Sequence, residues 1–171
     1  MNNIKDQILI RAIHEAGHGM LCHYLGVIPQ ELTLDEEQNN GFGQNAAPIN
    51  DFGFENETLS IDQKTKSLAM VYIAGRQAVF KIQPDSLSFL NFDFDYEKAK
   101  ALISTLTSDE KEKKTLLLNL EDEVKEIFNQ EDRWRGVEKL AEELIKKKNL
   151  QWKDAKAILQ QLLLRPRFRI S

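Results

Sequence analysis

Two histidines and a glutamate near the start of the chain have the spacing of a metal site. His14, Glu15 and His18 form an H-E-x-x-H motif inside an apolar-periodic stretch that predicts a helix over residues 4–25. Residues four apart share one helix face, so both imidazoles could bind one zinc ion at about 2.0–2.1 Å. Glu15 could then accept a proton from a zinc-bound water that attacks a peptide carbonyl. The alternative is an ordinary helix with two solvated histidines and an exposed glutamate.

Two further residues of this helix are weaker ligand candidates. Cys22 shares a face with His18 but lies about 12 Å along the helix axis from His14, too far for all three to hold one ion. It is the only cysteine, so an intramolecular disulfide is excluded and a buried apolar role is expected. His23 is rotated by about 140° from His18 and is expected at the surface or in packing.

The rest of the pattern predicts a mainly α chain (α+β) with a small irregular β element. Ser60 and Gln63 match a capping box and therefore predict a helix start. Helices are expected over residues 60–81, from Asp93 or Asp95 to about 106, over 110–148 with a candidate bend at Gly136, and over 152–164. A strand is expected over 31–35, and residues 36–57 are expected to form a loop with a second short strand near Phe42.

Length and charge limit the classes of function. The 171 residues favour a single domain over 1–171, and 42% hydrophobic residues are enough for a globular core. A formal charge of −4 argues against a nucleic-acid partner. The sequence lacks a run of about 18 uncharged apolar residues and lacks a secretory signal, so no membrane span and a cytoplasmic location are expected.

Several segments resemble the peptidase domain of FtsH-type ATP-dependent zinc metalloproteases. They are the segment 13–20 around the H-E-x-x-H motif, Ile73-Ala74-Gly75-Arg76-Gln77-Ala78, the Asp-x-x-x-Ala pattern of 95–99, and the Leu-Ala-x-x-Leu pattern of 140–144. Their order and approximate spacing agree along nearly the whole chain. The resemblance implies a helical zincin-type domain and a Zn²⁺-dependent metalloendopeptidase that cuts extended or unfolded chains.

The resemblance also implies the third zinc ligand. It assigns Asp95, which begins the Asp-x-x-x-Ala pattern, and Asp93 is the fallback because the Phe-rich segment 89–94 departs from the family's lead-in. A different zincin, with Glu36 or Glu37 as ligand, is a third interpretation. Those residues follow His18 at a spacing near that of thermolysin-like enzymes, but they lie in a loop-like stretch.

Substrate and partners follow from the same resemblance. Family members bind substrate by strand addition, and residues 31–35 or the segment with Gly41, Phe42 and Gly43 resemble that region. Val79 replaces a family glutamate, and no phosphate-binding G-x-x-x-x-G-K-[ST] loop occurs in the sequence. A separate ATPase partner or a homo-oligomer therefore stays open, and the alternative function is a catalytically silent binding or adaptor module.

Overall fold

The computed structural model describes residues 4–34, 52–84 and 93–162, and these ranges are mainly helical. This confirms the expected mainly α architecture with a small β element. In chain order, the elements are α1 (Ile4–Leu25), β1 (Val27–Ile28), β2 (Glu31–Thr33), β3 (Gly53–Phe54), α2 (Ile61–Ile82), α3 (Asp93–Ser104), α4 (Glu110–Phe128), α5 (Glu131–Lys147), β4 (Asn149–Gln151) and α6 (Trp152–Gln161).

Helix α1 lies at the centre of the described structure. It packs against α2 and α5, and from Ile10 onward nearly every residue of the helix is buried. Cys22 is fully buried, as expected, and so is His23. A helix surrounded in this way is held firmly, because close-packed neighbours leave its side chains few alternative rotamers. The H-E-x-x-H motif is therefore part of the most enclosed helix.

Helices α1 and α2 approach closely because small residues line their crossing. A Cβ atom added at Gly17 would lie 2.8 Å from the Cβ of Ala78 and 2.9 Å from the carbonyl oxygen of Ala74. The start of α2 is fixed by the predicted capping box. The backbone N–H of Gln63 donates to the Ser60 hydroxyl oxygen at 3.2 Å, and the backbone N–H of Ser60 donates to the Gln63 side-chain oxygen at 2.9 Å. The capping box fixes where α2 begins, and the small residues at the crossing let it lie close to α1.

The β element consists of two short antiparallel pairs among the described residues. Strand β1 pairs with β3, and β2 pairs with β4 in the register Leu32 to Leu150. Gly26, the residue after α1, has a φ of 68°, a left-handed conformation that glycine adopts without strain. The strand expected over 31–35 is shorter, at Glu31–Thr33, and β1, β3 and β4 were not predicted. The expected strand near Phe42 lies outside the described residues.

The helical region predicted over 110–148 is confirmed but consists of two helices, and the bend expected at Gly136 is wrong. The chain leaves α4 at Asn129 and enters α5 through Gln130, whose φ of −75° and ψ of 123° are extended. Gly136, the predicted bend, lies buried inside α5. The other predicted helices are confirmed with bounds shifted by a few residues, and α6 ends at Gln161, close to the edge of the described chain. Within these ranges, each helix is too short or too polar to cross a membrane.

Candidate metal centre

The H-E-x-x-H motif is buried rather than solvated. His14 is 5% exposed, Glu15 is 8% exposed and His18 is fully enclosed. One ligand atom from each of these three residues lies within 4.8 Å of the other two, so the group could hold a metal ion. The alternative of two solvated histidines and an exposed glutamate is wrong, because Gly75 of α2 and Asp95 of α3 pack against the two imidazoles.

Helix α3 brings a carboxylate to the two imidazoles. The distance from His14 Nε2 to Asp95 Oδ2 is 3.0 Å, and the distance from His18 Nε2 to the same oxygen is 3.2 Å. The two Nε2 atoms lie 3.0 Å apart. Three potential ligand atoms therefore converge on one point, although Asp95 is 81 positions from His14 and 77 positions from His18 in the chain.

The spacing of these atoms fits a small tetrahedral ion. Ligands at about 2.0–2.1 Å from zinc, at tetrahedral angles, lie roughly 3.3 Å from one another. The three observed separations are 3.0, 3.0 and 3.2 Å, slightly tighter than that value. Two imidazoles and one carboxylate form a donor set that zinc accepts in hydrolytic sites. The residues present therefore fit the expected group.

A backbone carbonyl fixes the tautomer of His18. Its Nδ1 lies 2.7 Å from the carbonyl oxygen of Val71, which can only accept a hydrogen bond. Nδ1 must therefore carry the proton, and the lone pair of a neutral His18 then lies on Nε2, facing His14 and Asp95. Such a partner both orients a ligating histidine and makes its free nitrogen more basic.

Gly75 of α2 packs directly against both imidazoles. A Cβ atom added there would lie 2.6 Å from His14 Cε1 and 2.6 Å from His18 Nε2. Carbon atoms in proteins essentially never approach so closely, so any side chain at this position would displace at least one ring. The absence of a side chain at Gly75 is a condition for the observed geometry.

Lys98 lies one turn after Asp95 on α3 and is buried beside it. Its Nζ is 3.7 Å from Asp95 Oδ1, 4.4 Å from the centre of the Phe94 ring and 5.1 Å from the centre of the Tyr72 ring. The ammonium is thus held by two aromatic faces near the carboxylate oxygen that points away from the histidines. This positive charge favours an ionised Asp95 and helps to orient it.

Burial and mutual contact shift the pKa values of the three converging residues. Burial, together with the charge of His18, lowers the pKa of His14 to about 4. Burial also opposes the charged form of His18, but its hydrogen bond to Asp95 and the negative charges of Asp95 and Glu15 outweigh that effect and raise the pKa of His18. Burial opposes ionisation of Asp95 too, yet hydrogen bonds from both histidines hold its pKa well below the ordinary value.

Glu15 differs from Asp95 in both position and ionisation. It makes no hydrogen bond or ion pair with the rest of the described chain, although its carboxylate lies within 4.8 Å of the imidazole nitrogens. Burial raises the pKa of Glu15 to about 7. The site therefore holds one carboxylate at ligand distance and a second one farther away that is poised to exchange a proton near neutral pH.

The other candidate residues are placed only in part. Asp93 is the first residue of α3, and its side chain lies outside the described part of the chain. The proposed alternative ligands and the proposed substrate segment also lie outside the described residues: Glu36, Glu37, Gly41, Phe42 and Gly43. Sequence reasoning missed the roles of Val71, Gly75 and Lys98. Only Gly75 had a signal, since it lies in the Ile-Ala-Gly-Arg segment already singled out.

Comparison with models of known protein families and with curated proteins gave no match. What this site does must therefore be inferred from its own residues.

Proposed function

We propose that this chain is a zinc-dependent metalloendopeptidase that hydrolyses peptide bonds in extended or unfolded chains. The observation that carries the proposal is the convergence of His14, His18 and Asp95 within 3.2 Å of one another, with the carboxylate of Glu15 nearby. Three protein ligands with one open position are typical of catalytic zinc, whereas structural sites usually have four.

The roles of the residues follow from these positions. His14, His18 and Asp95 would hold the ion. Zinc, when bound, supplies Lewis-acid polarisation of the scissile carbonyl and lowers the pKa of a water towards 7. Glu15 accepts a proton from the attacking water and returns it to the leaving amide nitrogen. Burial raises the pKa of Glu15 to about 7 in the metal-free chain, and a bound dication would favour the ionised carboxylate that this step requires.

An extended peptide substrate would bind at the edge of the β2–β4 pair. Among the described strands, β2 pairs only with β4, so its other edge has no described strand partner. An extended peptide adding to that edge would be held by backbone hydrogen bonds with little dependence on side chains. The resemblance to FtsH-type peptidases supports this mode. Folded proteins would be poor substrates, since unfolding them costs about 5–15 kcal/mol and this chain contains no phosphate-binding loop.

The test compares wild type with Glu15→Gln, which keeps the size of the side chain but cannot accept the proton. We expect Glu15→Gln to retain one zinc per chain while hydrolysis of a quenched fluorescent peptide falls by at least about 10²-fold. Glu126→Gln makes the same change on an exposed helix position and should leave both quantities unchanged. Zinc content is measured by mass spectrometry of the dialysed protein.

The adaptor alternative gives a different result in the same experiment. A binding module would contain zinc, bind unfolded chains and show no hydrolysis above the zinc-free protein, and Glu15→Gln would then change nothing. That outcome would reject the peptidase proposal. Equal hydrolysis by wild type and Glu15→Gln would reject Glu15 as the base, and a zinc-free purified chain that cannot be reloaded would reject the metal site itself.

A further inference from the structure

A cavity lies between α2, α3 and the C-terminal half of α4. Its volume is about 570 Å³, within the range of roughly 300–1,000 Å³ that small-molecule sites occupy. Its walls include Arg76, Gln77, Phe80, Tyr96 and Phe128. None of these residues belongs to the metal centre, so the proposed peptidase does not account for the cavity.

Arg76 is held in place by aromatic rings rather than by an acid. Its guanidinium carbon lies 4.4 Å from the centre of the Tyr96 ring and 5.3 Å from the centre of the Phe80 ring. The hydroxyl of Tyr96 donates a hydrogen bond of 2.6 Å to Glu121, which fixes that ring. Among the described residues, Arg76 forms no ion pair or hydrogen bond. A guanidinium fixed in this way keeps its N–H donors for a ligand.

Gln77 is a second polar group that points to a ligand. It lines the cavity, and its amide makes no hydrogen bond to any residue that the structure describes. A bound molecule with a hydrogen-bonding group could pair with this amide, whereas a purely apolar molecule could not.

The charges and walls of the cavity limit the class of ligand. One carboxylate lines it, that of Glu121, which accepts the hydrogen bond from Tyr96. Two further cations line it, but Lys125 pairs with Asp122 at 3.2 Å and Lys81 donates to Asn129 at 3.1 Å. Arg76 is therefore the cation available to an anion. A guanidinium matches a carboxylate with two parallel hydrogen bonds, and the nearby phenyl rings favour an apolar body.

We propose that this cavity binds a small carboxylate with an aromatic or aliphatic body. Arg76 takes the carboxylate, the Gln77 amide donates to or accepts from the polar end, and Phe80 and Phe128 contact the apolar part. Helix α2 contributes to both places, with Gly75 against the imidazoles and Arg76 in the wall of the cavity. Binding of a carboxylate in this cavity does not require peptidase activity.

The test titrates the isotope-labelled full chain, loaded with zinc, with phenylacetate and follows backbone amide resonances. We expect saturable shifts of amides around the cavity below about 10 mM. Phenylacetamide, which lacks the charge, and inorganic phosphate, which lacks the ring, should each bind at least about 10-fold more weakly. Arg76→Gln should weaken the binding of phenylacetate by a similar factor. Arg135→Gln, which makes the same change at an exposed position of α5, should leave that affinity unchanged.

If Arg76→Gln proves poorly folded, Gln77→Met is a second variant, because it nearly preserves the side-chain volume. It should weaken the binding of phenylacetate several-fold. Carboxylates also coordinate metals, so binding at the metal centre must be separated from binding in the cavity. Shifts confined to amides around His14 and His18, and unaltered by Arg76→Gln, would overturn the proposal. So would equal affinity for phenylacetamide, or no saturation by phenylacetate.

Discussion

Replacing Glu15 by Gln should stabilise the metal-free protein, and the gain should depend on pH. Glu15 is 8% exposed, and burial raises its pKa from 4.5 to about 7 in the folded chain. The folded state therefore prefers the protonated acid, whereas the unfolded chain ionises as an ordinary glutamate. Gln resembles the protonated form in size and polarity but never ionises, so the variant avoids the burial of a charge.

The magnitude follows from the two pKa values. Each pKa unit corresponds to 1.36 kcal/mol of differential interaction, so a rise from 4.5 to about 7 amounts to about 3 kcal/mol. Because the folded-state pKa of this acid is raised, the penalty is small below pH 4.5, grows between pH 4.5 and 7, and is complete above pH 7. Glu15→Gln should therefore be about 3 kcal/mol more stable than wild type at pH 8 and nearly equal to it at pH 4.5.

Urea denaturation in the presence of a chelator measures this difference at several pH values. The matched control is Glu126→Gln, which removes the same charge from an exposed helix position, where surface substitutions usually change stability by less than about 0.5 kcal/mol. Added zinc should reduce the difference, because a dication near Glu15 favours its ionised form. The reasoning is refuted if the stability difference between Glu15→Gln and wild type is the same at pH 5 and pH 8.

Three further changes test the geometry. Gly75→Ala should weaken zinc binding at least about 10-fold, measured by competition with a chromogenic chelator, because the added methyl displaces the imidazoles; unchanged affinity would contradict the packing described. Asp95→Ala should also lower zinc affinity at least about 10-fold, while Asp93→Ala should not, and the reverse result would make Asp93 the ligand. Asp109→Ala should cost about 1 kcal/mol in urea denaturation, since Asp109 accepts the Glu112 N–H at 2.8 Å and caps α4; no loss would show that the cap does not matter.

Local signals predicted the helices well and the break between α4 and α5 poorly. The capping box of Ser60 fixed the start of α2 because both of its partners lie within four residues. The break at Asn129 and Gln130 contains neither proline nor glycine, so the sequence gives no strong sign of it there. Gly136 does not bend the chain, because a buried glycine can be accommodated inside a helix. The acidic pair Glu131–Asp132 in the first turn of α5 was the signal available, since negative charge favours a helix N-terminus.

Long-range pairing could not be read from local patterns. Strand β4 is three residues long and pairs with β2, with Leu150 opposite Leu32. The segment 31–35 was predicted as a strand, whereas the β4 segment is too short to alternate and does not indicate a strand without its partner. The chain bends into β4 through Lys148, which has a φ of 66° and is neither glycine nor asparagine, so the usual sign of a helix end is missing.

The candidate site divides in the same way. His14 and His18 were predictable because one helical turn places them together. Asp95 is 77 positions from His18, and only the resemblance to a known pattern indicated it. Val71 and Lys98 could not be found from sequence, because their parts in the site depend on how α2 and α3 pack against α1.

Gly75 shows why the packing of two helices, rather than the motif alone, creates the site. The imidazoles of His14 and His18 point from α1 towards α2, and any side chain at Gly75 would occupy the space of those rings. Gly17 lets α2 approach α1 in turn, so the two glycines face opposite ways across one crossing. A glycine inside a helix costs about 0.5–1 kcal/mol relative to alanine. Two glycines are nevertheless present here. Gly17 lets the helices come close enough for the Val71 carbonyl to reach His18, and Gly75 leaves room for both imidazole rings.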